Sequence, residues 1–261
     1  MTGGGAQAAS DLLLGLWARG QVIAALPDDL RPASRAGGYA IQALAERAAP
    51  GPLYGWKLAA TSAAGQAHIG VDGPLAGRLL AHRVIASGGT VPAGVNHMAV
   101  AEPEFAFRLR ADLPPRAAPY EPPEVMAAVA SVHAALEIPD SRYADFARVG
   151  AAQLIADNAC AHWFVLAGAT AADWRALDLS THRVTAWVEG GEVAEGSGAN
   201  VLGDPRLALT WLANELSQFG PGLRAGQVVT TGTCAAPLPI HPGATATADF
   251  GVLGRVTARF A

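Results

Sequence analysis

Apolar residues at helical spacing dominate the first fifty positions. SDLLLGLWARGQVIAAL, with Ser10 in N-cap position, and GYAIQALAERAA, with Tyr39, Leu44 and Ala48 in step, predict helices between residues 10 and 49. LPDDLRPAS is the connector, and GGG at residues 3–5 reads as a frayed start. From Gly51 the chain changes to short apolar runs separated by Gly and Pro. LYGWKLAAT, RVIASGGTV, VAEPEFAFRL, HAALEIPDS, HRVTAWVEGGEVAEGSG and TATADFGVLGRVTARFA read as strands, with EGGE turning a hairpin. Two helices are expected to interrupt them. One lies around Pro123 to Ala130; the other is PRLALTWLANELSQFG, where Pro205 opens the first turn and Gly220 follows the last. Strands in runs with few helices between them predict an α+β fold rather than a doubly wound sheet. LPPRAAPYEPPE reads as an exposed Pro-rich loop.

Composition narrows the class. Of 261 residues, 51% are apolar and 15% charged, enough to bury a large core. Lys+Arg 18 against Asp+Glu 22 leaves a net charge of -4, without the basic excess that a phosphate backbone demands, so nucleic acid is not an expected partner. No apolar run approaches the roughly 20 residues that cross a bilayer, and MTGGGAQAASD lacks a basic segment followed by an apolar one. The expectation is a cytoplasmic protein without membrane contact. Cys160 and Cys234 are too few and too far apart for a disulfide framework or a zinc site, and read as buried thiols.

The basic residues divide into 17 Arg and one Lys, and that lysine is Lys57. A chain that uses Arg wherever a cation will serve keeps a lysine where Arg cannot serve. Arg does not release its proton near neutral pH, whereas a lysine among apolar neighbours can be tuned into a proton carrier.

The carboxylates supply the second signal. Between Ala101 and Leu109 a strand places Ala101, Phe105, Phe107 and Leu109 on one face and Glu102 and Glu104 together on the other. Pro103 between them cannot donate to a ladder, which predicts an edge strand or the lip of a cleft. Glu137 sits between Leu136 and Ile138, where an unpaired charge is expensive. Three carboxylates converging at about 4 Å repel by roughly 4 kcal/mol per pair at an effective dielectric of about 20, and a divalent cation relieves the repulsion. Oxygen-only ligation favours Mg²⁺ or Mn²⁺ over Zn²⁺. With Lys57, such a site sums to zero charge.

Other chemistries find no support. The seven histidines form no HxxxH or HExxH pair, and only His97 and His133 lie near the acidic segments, in a supporting role at most. GxGxxG, P-loop and GxSxG patterns are absent, so no nucleotide, flavin or serine nucleophile is indicated.

Taken in order, GYAIQ, GWKLAATS with Gln66 following, AEPEFAF, LEIPDSR, ADNAC, WLAN, LRAGQVVTTG and a closing F-LG-V-ARF resemble the 2-keto-4-pentenoate hydratase and 4-oxalocrotonate decarboxylase group of the fumarylacetoacetate hydrolase superfamily. The likeness runs from Leu12 to Phe260. It implies a mixed β-sheet roll over residues 51–261 and a smaller helical N-terminal region over residues 1–50. It implies Glu102, Glu104 and Glu137 as ligands of Mg²⁺ or Mn²⁺ and Lys57 as the active-site lysine. Ser62, Leu75, Cys160 and Thr231 are implied beside the substrate, a small 2-oxo acid. A homo-oligomer is implied, as is a complex with a sister hydratase or decarboxylase.

The implied reaction is hydration of a 2-hydroxy-2,4-dienoate to a 4-hydroxy-2-oxo acid in aromatic catabolism, with Lys57 carrying the proton as the dienol ketonises. Two positions depart from the hydratase pattern. GPLAG puts Leu75 where many hydratases hold an acid, which removes a candidate base for water. Decarboxylation of a 4-oxalocrotonate-type diacid is therefore the alternative. ADNAC puts Cys160, a weaker hydrogen-bond donor, where the group often has Ser. A hydrolase of acylpyruvates would need a His–Glu pair in the N-terminal region, and no histidine precedes His68. A non-catalytic metal-binding partner would have no need of Lys57.

Overall fold

The computed structural model describes residues 3–92 and 94–261. Helices α1 (Gly3–Arg19) and α2 (Arg35–Ala48) lead the chain. The first differs from expectation at both ends. It starts at Gly3, so the GGG run is helical rather than frayed, and Ser10 is a buried mid-helix residue with an unpartnered Oγ rather than a cap. It stops before Gly20, which takes a left-handed φ of +60, so the QVIAAL segment lies outside it and Ile23 pairs with Tyr143 instead. Ser34 caps α2 by accepting from the Gly37 N–H. Ala9, Leu13, Leu16, Leu26 and Ile41 cannot cover one another alone; Tyr143 and Ala156 from the rest of the chain complete their cluster.

The strands and short helices follow as β1 (Leu53–Ala59), α3 (Ala63–Ile69), β2 (Leu75–Leu80), β3 (Val84–Ala86), β4 (Thr90–Val91) and β5 (Val100–Leu109). Next come α4 (Pro122–Ala127), β6 (Val129–Ile138), α5 (Ala151–Ala156), β7 (Trp163–Leu166), β8 (Arg183–Val188) and β9 (Val193–Ser197). The chain closes with α6 (Pro205–Phe219), β10 (Val228–Thr233), β11 (Leu238–Pro239), β12 (Thr245–Asp249) and β13 (Arg255–Phe260). The hairpin expected at EGGE forms from β8 with β9, and β12 with β13 forms a second. Pro205 opens α6 behind an Asp204 cap, as its position predicts. The helix expected to reach Ala130 ends at Ala127, because Val129 already opens β6.

The larger sheet runs β2-β1-β10-β5-β6-β7-β3, with β11 added to β5. It is mixed: β1 with β10 and β3 with β7 are parallel, and the other pairs are antiparallel. Strands β2 and β3 lie at opposite ends of this order, yet only the single turn Ala81–Arg83 separates them in the chain. The sheet must therefore curl back on itself. Leu79 and Val84, from its two ends, share one apolar cluster with Ala106, Ala135, Phe164, Leu166 and Val228 inside the roll.

The outer face packs on the second sheet, ordered β4-β13-β12-β8-β9. Phe105, Phe107, Val132 and Leu136 of the roll share the main core with Ala248 and Val256 of that sheet. Full burial of one such large apolar side chain contributes about 1.5–3 kcal/mol. Strand β5 is not the edge that Pro103 suggested: β10 and β6 flank it. The Pro103 carbonyl faces β10 and accepts from Cys234 N, so its missing N–H falls where the β5–β10 register shifts between Thr230 and Thr233. A bulge is the other place a sheet tolerates proline.

Candidate functional site

Side chains alternate across a strand, so Glu102 and Glu104 of β5 and Glu137 of β6 all point into the roll. The pairing sets Glu102 opposite Glu137. One carboxylate oxygen from each of the three lies within 4.8 Å of the others. Lys57 of β1 enters from across β10 and is fully buried. Its Nζ donates to the Ala159 carbonyl at 3.0 Å and lies 2.9 Å from Glu137 Oε2. The second contact is an ion pair rather than an aligned hydrogen bond, since Glu137 Oε2 accepts from no donor.

Two groups hold Glu104. Thr230 Oγ1 donates to its Oε2 at 2.5 Å and the Gly232 N–H donates to the same oxygen at 2.7 Å. Gly232 takes φ +98 beside Thr61, and a Cβ there would lie 2.0 Å from Thr61 Oγ1, so only glycine can turn its N–H toward the carboxylate. Glu104 Oε1 and Glu137 Oε1 find no hydrogen-bond donor despite complete burial, and Glu137 Oε2 has only the Lys57 ammonium beside it. Buried anionic oxygens left this way are costly unless a cation bonds them. The donor set, three carboxylates and no nitrogen or sulfur, fits a hard divalent ion.

Burial, first of all, pushes each carboxyl upward. It takes Glu104 to about 7, with Glu102 adding to the rise and Lys57, Thr230 and Gly232 opposing it. Glu137 lies well above the usual carboxylate range and Glu102 above it, Lys57 opposing in both. For Lys57 burial pulls downward, but Glu137, then Glu102 and Glu104, outweigh it, so its net shift is upward.

A cavity of about 550 Å³ opens above these groups, lined by Lys57 and Glu102 among others. The structure brings Ser62, Leu75 and Cys160 to its wall. Ser62 is committed locally, its Oγ accepting from Gly65 N at 3.0 Å as the cap of α3. Leu75 begins β2, and Cys160 belongs to a run of left-handed residues, Asn158, Ala159 and Cys160. Thr231 is not brought in. It faces away from Glu104, is absent from the lining, and donates to the Phe105 carbonyl. His97 reaches the cavity mouth, whereas His133 lies at the other end of the roll, bonded to Ser131 and Ala167. Thr230, Gly232, Ala159 and His68 are the participants that sequence reasoning missed. Only the TTG run in LRAGQVVTTG hinted at the first two.

Residues 46–261 match the fumarylacetoacetate (FAA) hydrolase C-terminal family. A 2-keto-4-pentenoate hydratase of Paraburkholderia xenovorans (strain LB400) is 33% identical, over 92% of this chain and 89% of its own. A 4-oxalocrotonate decarboxylase of Pseudomonas sp. (strain CF600) is 34% identical, over 80% of this chain and 77% of its own. Among solved structures, the 4-oxalocrotonate decarboxylase from Pseudomonas putida G7, complexed with magnesium and adipate, superposes with a TM-score of 0.89 at 29% identity, covering 100% of this chain and 99% of that one. With its rolled mixed sheet and its inward trio of glutamates, the chain belongs to the FAA hydrolase C-terminal family, among relatives named as 2-keto-4-pentenoate hydratases and 4-oxalocrotonate decarboxylases.

Proposed function

We propose that the protein is a divalent-metal-dependent lyase that hydrates a 2-hydroxy-2,4-dienoate to a 4-hydroxy-2-oxo acid in aromatic catabolism. One observation carries this reading: two buried glutamates with donorless oxygens, Glu104 and Glu137, and a half-buried third, Glu102, converge beside the chain's only lysine at the floor of a substrate-sized cavity. Glu102, Glu104 and Glu137 would hold Mg²⁺ or Mn²⁺, which when bound supplies a Lewis acid for the substrate's carboxylate and 2-oxo oxygens. Lys57 moves the proton. Its Nζ is fixed between Ala159 O and Glu137, and the charge that raises its pKa is the same glutamate charge a cation would neutralise. Loading the site therefore lowers the cost of proton release from Nζ. Leu58, Ile69, Leu75, Met98, Phe146 and Leu154 line the wall apolar, and no arginine is among the lining residues. That wall suits a hydrocarbon tail rather than a second carboxylate. Every group in this reading lies in residues 51–261, with the helical residues 1–50 packed alongside.

Leu75 favours a second reading. With an aliphatic side chain in that place the wall has no acid besides Glu102, which the metal would engage, and decarboxylation of a 4-oxalocrotonate-type diacid needs none. Incubation with Mg²⁺ or Mn²⁺ and a panel of 2-hydroxydienoates and 4-oxalocrotonate separates the two, with ultraviolet loss and CO₂ release followed independently. Ultraviolet loss without CO₂ is expected, and Leu75→Asp should accelerate it. CO₂ from 4-oxalocrotonate with no hydration of any dienoate would replace the first reading by the second. A homo-oligomer, alone or with a sister hydratase or decarboxylase, belongs to the same reading and is checked by light scattering.

A further inference from the structure

Asn158, Ala159 and Cys160 take φ values of 57, 49 and 62, three consecutive left-handed residues without a glycine. Asparagine tolerates this region, but alanine and cysteine do not, and such a run persists only where its surroundings over-determine it. Both flanks are anchored. Asp157 accepts from Trp17 Nε1, Ser141 Oγ and Arg142 N, and the Cys160 carbonyl accepts from Asp140 N.

In the middle the Asn158 side chain ties the segment to β2. Asn158 Oδ1 accepts from the Arg78 N–H at 2.6 Å, and Asn158 Nδ2 donates to the Arg78 carbonyl at 2.9 Å. Strand β2 ends the sheet order with β1 on its only paired side, so the carboxamide stands where a further strand would pair. This clamp lies directly over the lysine. Gly77, the residue before Arg78, is the register partner of Lys57. A Cβ on Gly77 would lie 2.2 Å from the Asn158 carbonyl and 3.1 Å from Lys57 Cγ, so segment and lysine stem share the space that glycine leaves. The next carbonyl along, Ala159 O, receives Lys57 Nζ. Asn158 itself is absent from the cavity wall, unlike Ala159 and Cys160.

We propose that Asn158 is the positioning residue for Lys57, acting through the left-handed segment and the Ala159 carbonyl. The inference rests on Lys57 as the proton carrier. Displacing a reacting group by about 1 Å can cost up to about 100-fold in rate, so the clamp governs turnover without touching substrate.

Because Lys57 is the only lysine, protein grown on lysine labelled with ¹⁵N at Nζ gives a single lysine ammonium resonance, readable without metal or turnover. Asn158→Gly keeps the left-handed backbone accessible and removes the clamp. Its resonance should move toward that of free lysine and its ammonium protons should exchange faster. In parallel kcat should fall about tenfold or more while KM and Mg²⁺ affinity stay within about twofold. Should that variant not fold, Asn158→Asp keeps the acceptor for Arg78 N, loses the donor, and should shift the same readouts in the same direction. A wild-type resonance, or a kcat within twofold of wild type, overturns the proposal. Lys57→Met is assayed alongside. If it is inactive while Asn158→Gly is fully active, only the clamp falls. If it is active, the lysine's role falls too, and the resonance alone reports whether the clamp holds the ammonium.

Discussion

The two ends of the roll's interior are built from the same strands and treat polar groups in opposite ways. Along β5 the inward positions run Glu102, Glu104, Ala106, and along β6 they run Glu137, Ala135, His133. At the alanine end the space is filled by Phe164 and Leu166 of β7, Val228 of β10 and Leu79 of β2. Beyond it His133 has both ring nitrogens bonded, to Ser131 Oγ and to the Ala167 carbonyl. At the glutamate end, carboxylate oxygens lack donors and a cavity opens above them. A fold that satisfies its buried polar groups at one end and withholds donors at the other has kept the second for a ligand.

The largest expected effect is on the open end. Glu137→Gln should abolish activity and erase the rise in melting temperature that Mg²⁺ brings to the wild type; at about 100 times Kd that binding is worth about 2.7 kcal/mol. An unchanged Mg²⁺ effect in the mutant would mean that Glu137 is not a ligand. Next, Lys57→Arg keeps the charge but cannot pass on a proton, so kcat should drop by about 10² or more with metal affinity near wild type. Near-normal turnover would reduce Lys57 to an electrostatic anchor.

The filled end should answer differently. Phe164→Ala removes the largest side chain of the plug and should cost about 3–5 kcal/mol in urea unfolding, while the folded fraction still binds Mg²⁺. Loss of metal affinity together with stability would make the two ends one unit. The smallest effect concerns His162, which immediately precedes β7 and whose Nε2 accepts from Arg83 Nη1 at 3.1 Å. Burial first, then Arg83 and Arg142, pull its pKa from 6.5 down to about 3. The folded state therefore binds fewer protons than the unfolded one between those values, and stability falls as pH drops through that window. In His162→Asn the urea midpoint should decline less than in wild type between about pH 7 and about pH 5. Parallel declines in the two proteins would assign the acid sensitivity to another group.

Period and composition alone carried the shared face of Glu102 and Glu104, the uniqueness of Lys57, the β8–β9 hairpin at EGGE and the Pro205 start of α6. Each depends on residues that are neighbours in the chain, where alternation and turn chemistry act directly. The short helices α3 and α5 span too few residues to show a helical period, and Ser10 imitates a cap whose real helix begins upstream. The central place of β5, the side of β10 that meets Glu104, and the left-handed segment beside Lys57 were decided in three dimensions. Thr230 rather than Thr231 touches the carboxylate because the bulge and pleat of β10 choose the face, and that contact joins positions 126 apart. Partners at such separations are chosen by strand order and by what the closed roll leaves room for, neither of which local periodicity encodes.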